Sequence, residues 1–238
     1  MDCSALRSWW VSWPAWLRNP RGILLFVILL IPMPLAWSGN PIVLPSGAVL
    51  RWPTMELTYH LDRGALGPYS EKFIQQLVIK AFTAWNQIPS SALHWKGGGL
   101  LDTDGTLDGA MAYVGVPDDG INPVLFDTSG RLIDLLSGEG ASDYLLGLAT
   151  PYYLTNGTIQ EAEIIINGKG LHGRSLEAQR LYATLLHEIG HLCGVGHTQL
   201  LTDFAFDTDR RNNLFSADML PVEPVDQISS NSLSQDDM

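Results

Sequence analysis

The chain of 238 residues is poor in cysteine, in positive charge and in long apolar runs. Its two cysteines are Cys3 and Cys193. Cys3 falls in an N-terminal leader, so the remainder holds a single thiol and no disulfide framework is open to it. Charged residues make up 16% of the chain, with 14 Lys and Arg against 25 Asp and Glu. Without residues 1–38, which carry Arg7, Arg18, Arg21 and Asp2, the balance is 11 basic residues to 24 acidic, a net −13. Such a surface repels backbone phosphates, so nucleic acid is not an expected partner. The unbroken apolar run at residues 23–31 is well short of the about 20 residues that span a bilayer comfortably. A positive flank precedes it, and the small residues Ala36 and Ser38 follow. That order describes an export signal, residues 1–38, cut after Ser38. The alternative is an uncleaved anchor over residues 22–37, with the leader's tryptophans at the interface. The expectation is a monomer, secreted or held in the cell envelope, touching a membrane only through this segment if it is retained.

Beyond the leader, residues 39–54 read as an irregular lead-in containing Pro and Gly. Residues 55–61 have the length and content of a strand. Residues 70–88 follow with Phe73, Leu77, Ala81 and Trp85 at spacing four and Ile74, Val78 and Phe82 beside them, an amphipathic helix burying one broad face. Ser70 is its expected N-cap, with Glu71 in the first turn. Short strands are expected at 92–95 and 110–116. Between them Asp102, Asp104 and Asp108 sit among glycines. Clustered carboxylates suit calcium, but the EF-hand spacing is missing and a solvated loop is the favoured reading. Residues 124–130 are a strand end and a turn, and residues 134–144 a flexible insertion. A strand is expected over 145–154. Asn156-Gly157 then signals a tight turn, and 162–166 form a buried strand.

From Ser175 the chain enters a helix whose apolar residues Leu181, Leu185, Leu186, Ile189 and Leu192 surround it on several sides, so it is central and mostly buried. It ends in HEIGHLCGVGH, residues 187–197. His187 and His191 stand one turn apart on one face. Gly194 can take the positive φ that lets the chain reverse, and His197 can swing back as a third ligand. Three nitrogen ligands with an open fourth position describe a catalytic zinc site, with Glu188 placed to reach a water there. Burying two histidines and a glutamate is costly unless they are coordinated or paired. Cys193 is expected to be a small apolar core residue rather than a ligand.

The pattern HExxHxxGxxH is the signature of the metzincin metallopeptidases, and the chain resembles a matrixin-like peptidase domain of the bacterial exported type. The resemblance covers residues 50–238, with its specific part in 187–221. It implies an α+β zincin fold over residues 55–238: a twisted mixed sheet, a backing helix, a central active-site helix and a small irregular C-terminal subdomain. It implies a zinc endopeptidase acting on polypeptides, with one catalytic zinc on His187, His191 and His197 and Glu188 as general base. Substrate would add as a strand along Gly147, Leu148, Ala149 and Thr150. Met219, followed by Leu220 and Pro221, resembles the family's methionine turn under the zinc, and Gly194 its turn glycine. Asp127, in FDTSG, partly resembles the family's calcium loop, which makes calcium a candidate second metal.

The chain departs from the pattern in several places. The histidine and aspartate ligands of the family's structural zinc are not found, and Thr150 stands where a histidine often does. No propeptide cysteine motif precedes the domain. The place two after Met219 is Pro221, where astacins have a tyrosine. Residues 232–238 resemble the start of the family's final helix, so the domain is expected to lack that helix. The alternative function is therefore a non-catalytic zincin-fold binding module, with a membrane-tethered docking domain as a third reading.

Overall fold

The computed structural model describes residues 40–116 and 119–197. The leader, the methionine turn at Met219 and the final-helix string lie outside the described residues. The described chain mixes helices with one five-stranded, mostly parallel sheet, which agrees with the α+β expectation at that level. Its strands are β1 (Glu56–Leu61), β2 (His94–Leu100), β3 (Asn122–Asp127), β4 (Gly147–Tyr153) and β5 (Ile159–Asn167). Its helices are α1 (Glu71–Asn86), α2 (Leu107–Ala110), α3 (Arg131–Ser137) and α4 (Ser175–Leu192), with a 3-10 turn at Ala141–Asp143. The sheet order is β2-β1-β3-β5-β4. All neighbours run parallel except β4, which lies antiparallel on β5 and forms an edge. Among the described residues no helix is long and apolar enough to cross a membrane.

Period-two alternation divides the sheet between two apolar layers. Leu57, Tyr59, Leu61, Val124, Phe126, Ala162, Ile164 and Ile166 share one layer with the buried residues of α1 and α4. Leu125 and Ile165 face the other side, under Leu132, Ile133 and Ala141. β3 and β5 are thus covered on both faces, and their continuous apolar content follows from that. Ser70 caps α1 by accepting from the Phe73 amide at 3.4 Å. The buried face of α1 is Ile74, Val78, Ala81, Phe82 and Trp85. Phe73, expected on that face, is exposed. It stacks on Tyr69 at 5.1 Å instead, over the chain entering the helix.

Three local expectations are corrected. The strand at 92–95 begins later and runs longer, as β2. Residues 110–116 form no strand: α2 and a turn occupy them, because Thr106 caps the start by accepting from the Gly109 amide at 3.4 Å. The strand-like content of residues 110–116 is overridden there, since a cap and an acidic first turn set the local conformation. Residues 134–144 are no flexible insertion. They continue α3 into the 3-10 turn, and Ala141 and Ser142 are buried. Gly138 and Gly140 take φ of 106° and 83°, which is the conformational freedom that makes this compact reversal. The Asp134 carboxylate then accepts from the Ser142 amide at 2.8 Å and closes it.

The second layer holds a buried acid with a consequence for pH. Burial pushes the Glu163 carboxyl above the ordinary glutamate range, opposed by the Gly115 amide and the Tyr152 and Thr150 hydroxyls. The folded chain therefore holds this proton more tightly than the unfolded one. The wild type loses stability as pH rises from about 4.3, the ordinary value, towards the raised one. Glu163→Gln removes that titration. Relative to the wild type its Tm is expected to rise as pH increases from about 4.3, through the window in which the raised group ionises. Thermal melts across that range check this, and a variant that gains nothing on the wild type as pH rises contradicts it.

Candidate metal centre

The site is assembled by the last turns of α4 and the reversal after it. Two tryptophan indoles hold this helix from the core side. Trp85 donates its Nε1–H to the Leu186 carbonyl at 2.9 Å, and Trp52 donates to the Leu192 carbonyl at 2.6 Å. The second bond satisfies one of the carbonyls that a helix end leaves without an intrahelical partner. The helix closes at Cys193, and Gly194 takes a φ of 86°, as a reversal at that place requires. Cys193 is packed against the core, and burial pushes its thiol up to about 12.

This reversal brings His187, His191 and His197 together. Their Nε2 atoms lie 3.2 Å apart in each of the three pairs. They are the one group of three or more histidine, cysteine or acidic ligand atoms that converge among the described residues. His191 Nδ1 lies 2.9 Å from the Val195 carbonyl. A carbonyl only accepts, so His191 carries its proton on Nδ1 and turns a lone pair on Nε2 towards the other two rings. Burial, followed by the neighbouring His187, holds His191 down to about 4. Burial also lowers His197. Uncharged imidazoles facing one another are the donor set a divalent cation needs.

The residues can be tested against zinc directly. Tetrahedral zinc with nitrogens at about 2.0–2.1 Å sets its ligand atoms about 3.3–3.4 Å apart, and the observed 3.2 Å spacings match this within about 0.2 Å. Each Nε2 of a neutral imidazole offers one N–H or one lone pair, so three mutually adjacent Nε2 atoms form at most one ordinary hydrogen bond among themselves. A shared cation satisfies all three. The carbonyl on His191 Nδ1 is the outer partner that fixes a ligand's tautomer and ring orientation. His197 is exposed and His187 and His191 are half-buried, so one side of the trio faces solvent.

Glu188, next in sequence to His187, is buried at 7% exposure. Burial pushes its carboxyl up to about 8, whereas a nearby cation acts in the opposite direction. Its neighbour across the gap is Gly147, the first residue of edge strand β4. A Cβ on Gly147 would stand 3.0 Å from Glu188 Cγ, from Glu188 Oε1 and from Thr184 Cγ2. Gly147 and Ala149 face the helix layer, opposite Ile166 and Ile164 of β5. Leu148 and Thr150 face the other layer, opposite Ile165 and Glu163. Among the described residues no strand pairs with the outer edge of β4.

The other candidate residues stand outside the trio. Asp127 is buried, and its carboxylate accepts from the Ile133 amide at 2.9 Å and the Ser129 hydroxyl at 3.4 Å, which anchors α3. Asp102 pairs with Arg63 at 3.3 Å. Asp104 accepts from the Thr106 hydroxyl at 2.7 Å, and Asp108 lies in the first turn of α2. Sequence reasoning missed Val195, Thr184 and the donating indole of Trp52. A backbone carbonyl and a methyl group leave no sequence signal, and Trp52 acts across 140 residues. The chain matches no protein-family model and no curated protein, so what is concluded about this centre's chemistry rests on the spacing in residues 187–197 and the geometry it produces.

Proposed function

We propose that the protein is a zinc-dependent endopeptidase with a metzincin, matrixin-like catalytic domain, acting on extracellular or envelope polypeptides after export. The observation that carries the reading is the convergence of three imidazole nitrogens at 3.2 Å, with a buried carboxylate supplied by the residue next to the first of them. His187, His191 and His197 would hold the ion. Bound there, zinc supplies a Lewis acid that polarises a carbonyl and lowers the pKa of a water to about 7. Glu188 takes the proton of the attacking water and returns it to the leaving amine nitrogen. The outer edge of β4 offers main-chain donors and acceptors, on which an extended peptide is laid as a further strand. The glycine at 147 keeps that strand close to Glu188. Proximity of this kind turns the attack into an effectively unimolecular step.

The test is metal content together with cleavage. Purified without chelators, the protein is expected to carry one zinc per chain and to cut a peptide library in a chelator-sensitive way. A well-folded preparation that neither contains nor takes up zinc overturns the reading. Zinc at one per chain with no cleavage transfers support to the non-catalytic binding module.

A further inference from the structure

The lead-in does more than approach the sheet. Its first described residues lie along the reversal that presents the third histidine. The Ile42 amide donates to the Gly194 carbonyl at 2.8 Å, and the Gly196 amide donates to the Asn40 carbonyl at 2.6 Å. These two bonds flank an antiparallel bridge between Pro41 and Val195. The same segment folds back on itself through Leu50 N–H to the Ile42 carbonyl, 2.9 Å, and Leu44 N–H to the Ala48 carbonyl, 2.8 Å. Arg51 then joins the β4–β5 turn by donating to the Gly157 carbonyl at 2.9 Å. The approach is close enough to dictate residue type. A Cβ at Gly194 would stand 3.0 Å from the Leu50 carbonyl oxygen, and one at Gly196 would stand 3.1 Å from that of Asn40. Gly196 lies at a position the HExxHxxGxxH pattern leaves open, so its glycine is accounted for by this contact.

We propose that residues 40–44 are a positioning strap for the metal centre, an inference that rests on the zinc reading. The strap fixes the backbone of residues 194–196, and two ligands depend on that backbone. Val195 supplies the carbonyl 2.9 Å from His191 Nδ1, and His197 follows Gly196 directly. Among the described residues the reversal's other main-chain bonds are helix-end bonds at its start: Cys193 N–H to the Ile189 carbonyl, Gly194 N–H to that of His191 and Val195 N–H to that of Gly190. None of these reaches Gly196. Among the described residues the Asn40 carbonyl is therefore what holds the Gly196 amide, from which His197 follows, while the Ile42 amide holds Gly194 before it. The expected cut after Ser38 leaves Asn40 and Ile42 on the mature chain, so the strap survives it.

The experiment measures zinc affinity by competition with a chelating dye on the full chain. Ile42→Pro removes the amide that donates to Gly194. It is expected to bind zinc about 10- to 100-fold more weakly, the usual effect of losing a ligand's outer partner. Ile42→Ala keeps the amide and loses side-chain packing. It is expected to lower Tm but to leave zinc affinity near the wild-type value, so that a loss of affinity in Ile42→Pro alone separates the amide's role from general destabilisation. His197→Ala is expected to weaken binding strongly in the wild type and by a smaller factor in Ile42→Pro, because part of what His197 contributes is already lost there. A wild type that binds zinc and an Ile42→Pro chain that binds it equally well overturn the strap and leave the metal reading in place. A wild type that binds no zinc overturns both. Hydrogen exchange on the wild type needs no variant to fold. If strap and metal are coupled, zinc stabilises the strap as much as the strap stabilises zinc. Protection at the Ile42 and Gly196 amides is expected to rise on adding zinc, and unchanged protection overturns the proposal.

Discussion

Glu188→Gln is expected to keep one zinc per chain and to lower kcat by about 10²- to 10⁴-fold, the range in which a positioned general base contributes. The substitution is nearly isosteric, so the 7%-exposed place beside Gly147 stays filled. Three ligand nitrogens remain at their 3.2 Å spacings. The loss is thus confined to proton acceptance, since an amide cannot take the water's proton at neutral pH. Metal content, Tm and single-turnover rate on a fluorogenic peptide separate the three quantities. Glu188→Asp is a useful companion. It keeps the carboxylate but shortens its reach, so it is expected to fall between Gln and wild type. Near-wild-type cleavage by the Gln variant would remove Glu188 from the base role while leaving the metal centre untouched.

What the sequence disclosed follows the range of the forces involved. The convergence of His187, His191 and His197 was legible because it is built within eleven residues, by helix periodicity and one positive-φ glycine. α1 and its Ser70 cap were legible for the same reason. β5 was legible because burial on both faces writes a continuous apolar run. Errors arose where one local signal outvoted another. Residues 110–116 have the content of a strand, yet the Thr106 cap governs. Glycines at 138 and 140 suggested looseness, yet their positive φ values close a compact turn. The lead-in shows only its Pro and Gly content in the sequence, and its partners lie some 150 residues away, at Gly194 and Gly196. No local periodicity encodes a pairing of that range. The glycines in GVG were its trace, and a single sequence does not distinguish a glycine needed for its φ from one needed for the approach of another chain segment.

Gly147→Val is expected to reduce kcat/KM by about 10²-fold, the scale associated with a misplacement of about 1 Å at a reacting centre. Even an alanine Cβ would meet Glu188 Cγ, Glu188 Oε1 and Thr184 Cγ2 at 3.0 Å, tighter than ordinary carbon contacts of about 3.5–4.0 Å. Valine adds two methyl groups to that conflict. The question is which side gives way. Thr184 and Glu188 belong to α4, which is packed on the sheet and against α1 and tied to Trp52 and Trp85 by hydrogen bonds. β4 is held by main-chain bonds to β5 on one side alone. The strand, being the softer element, moves outward, and any peptide laid on its outer edge moves with it. Gly147→Ala is expected to show a smaller loss in the same direction. Zinc content is expected to stay at one per chain in both, because the three atoms nearest the added Cβ belong to Glu188 and Thr184 and not to the histidines. Thr184→Ser in the Gly147→Ala background removes the Cγ2 methyl and is expected to restore part of the rate. If that double variant is no faster than Gly147→Ala, the crowding between strand and helix is not what limits catalysis. An unimpaired Gly147→Val chain would show that β4 need not lie against Glu188 for the reaction to proceed.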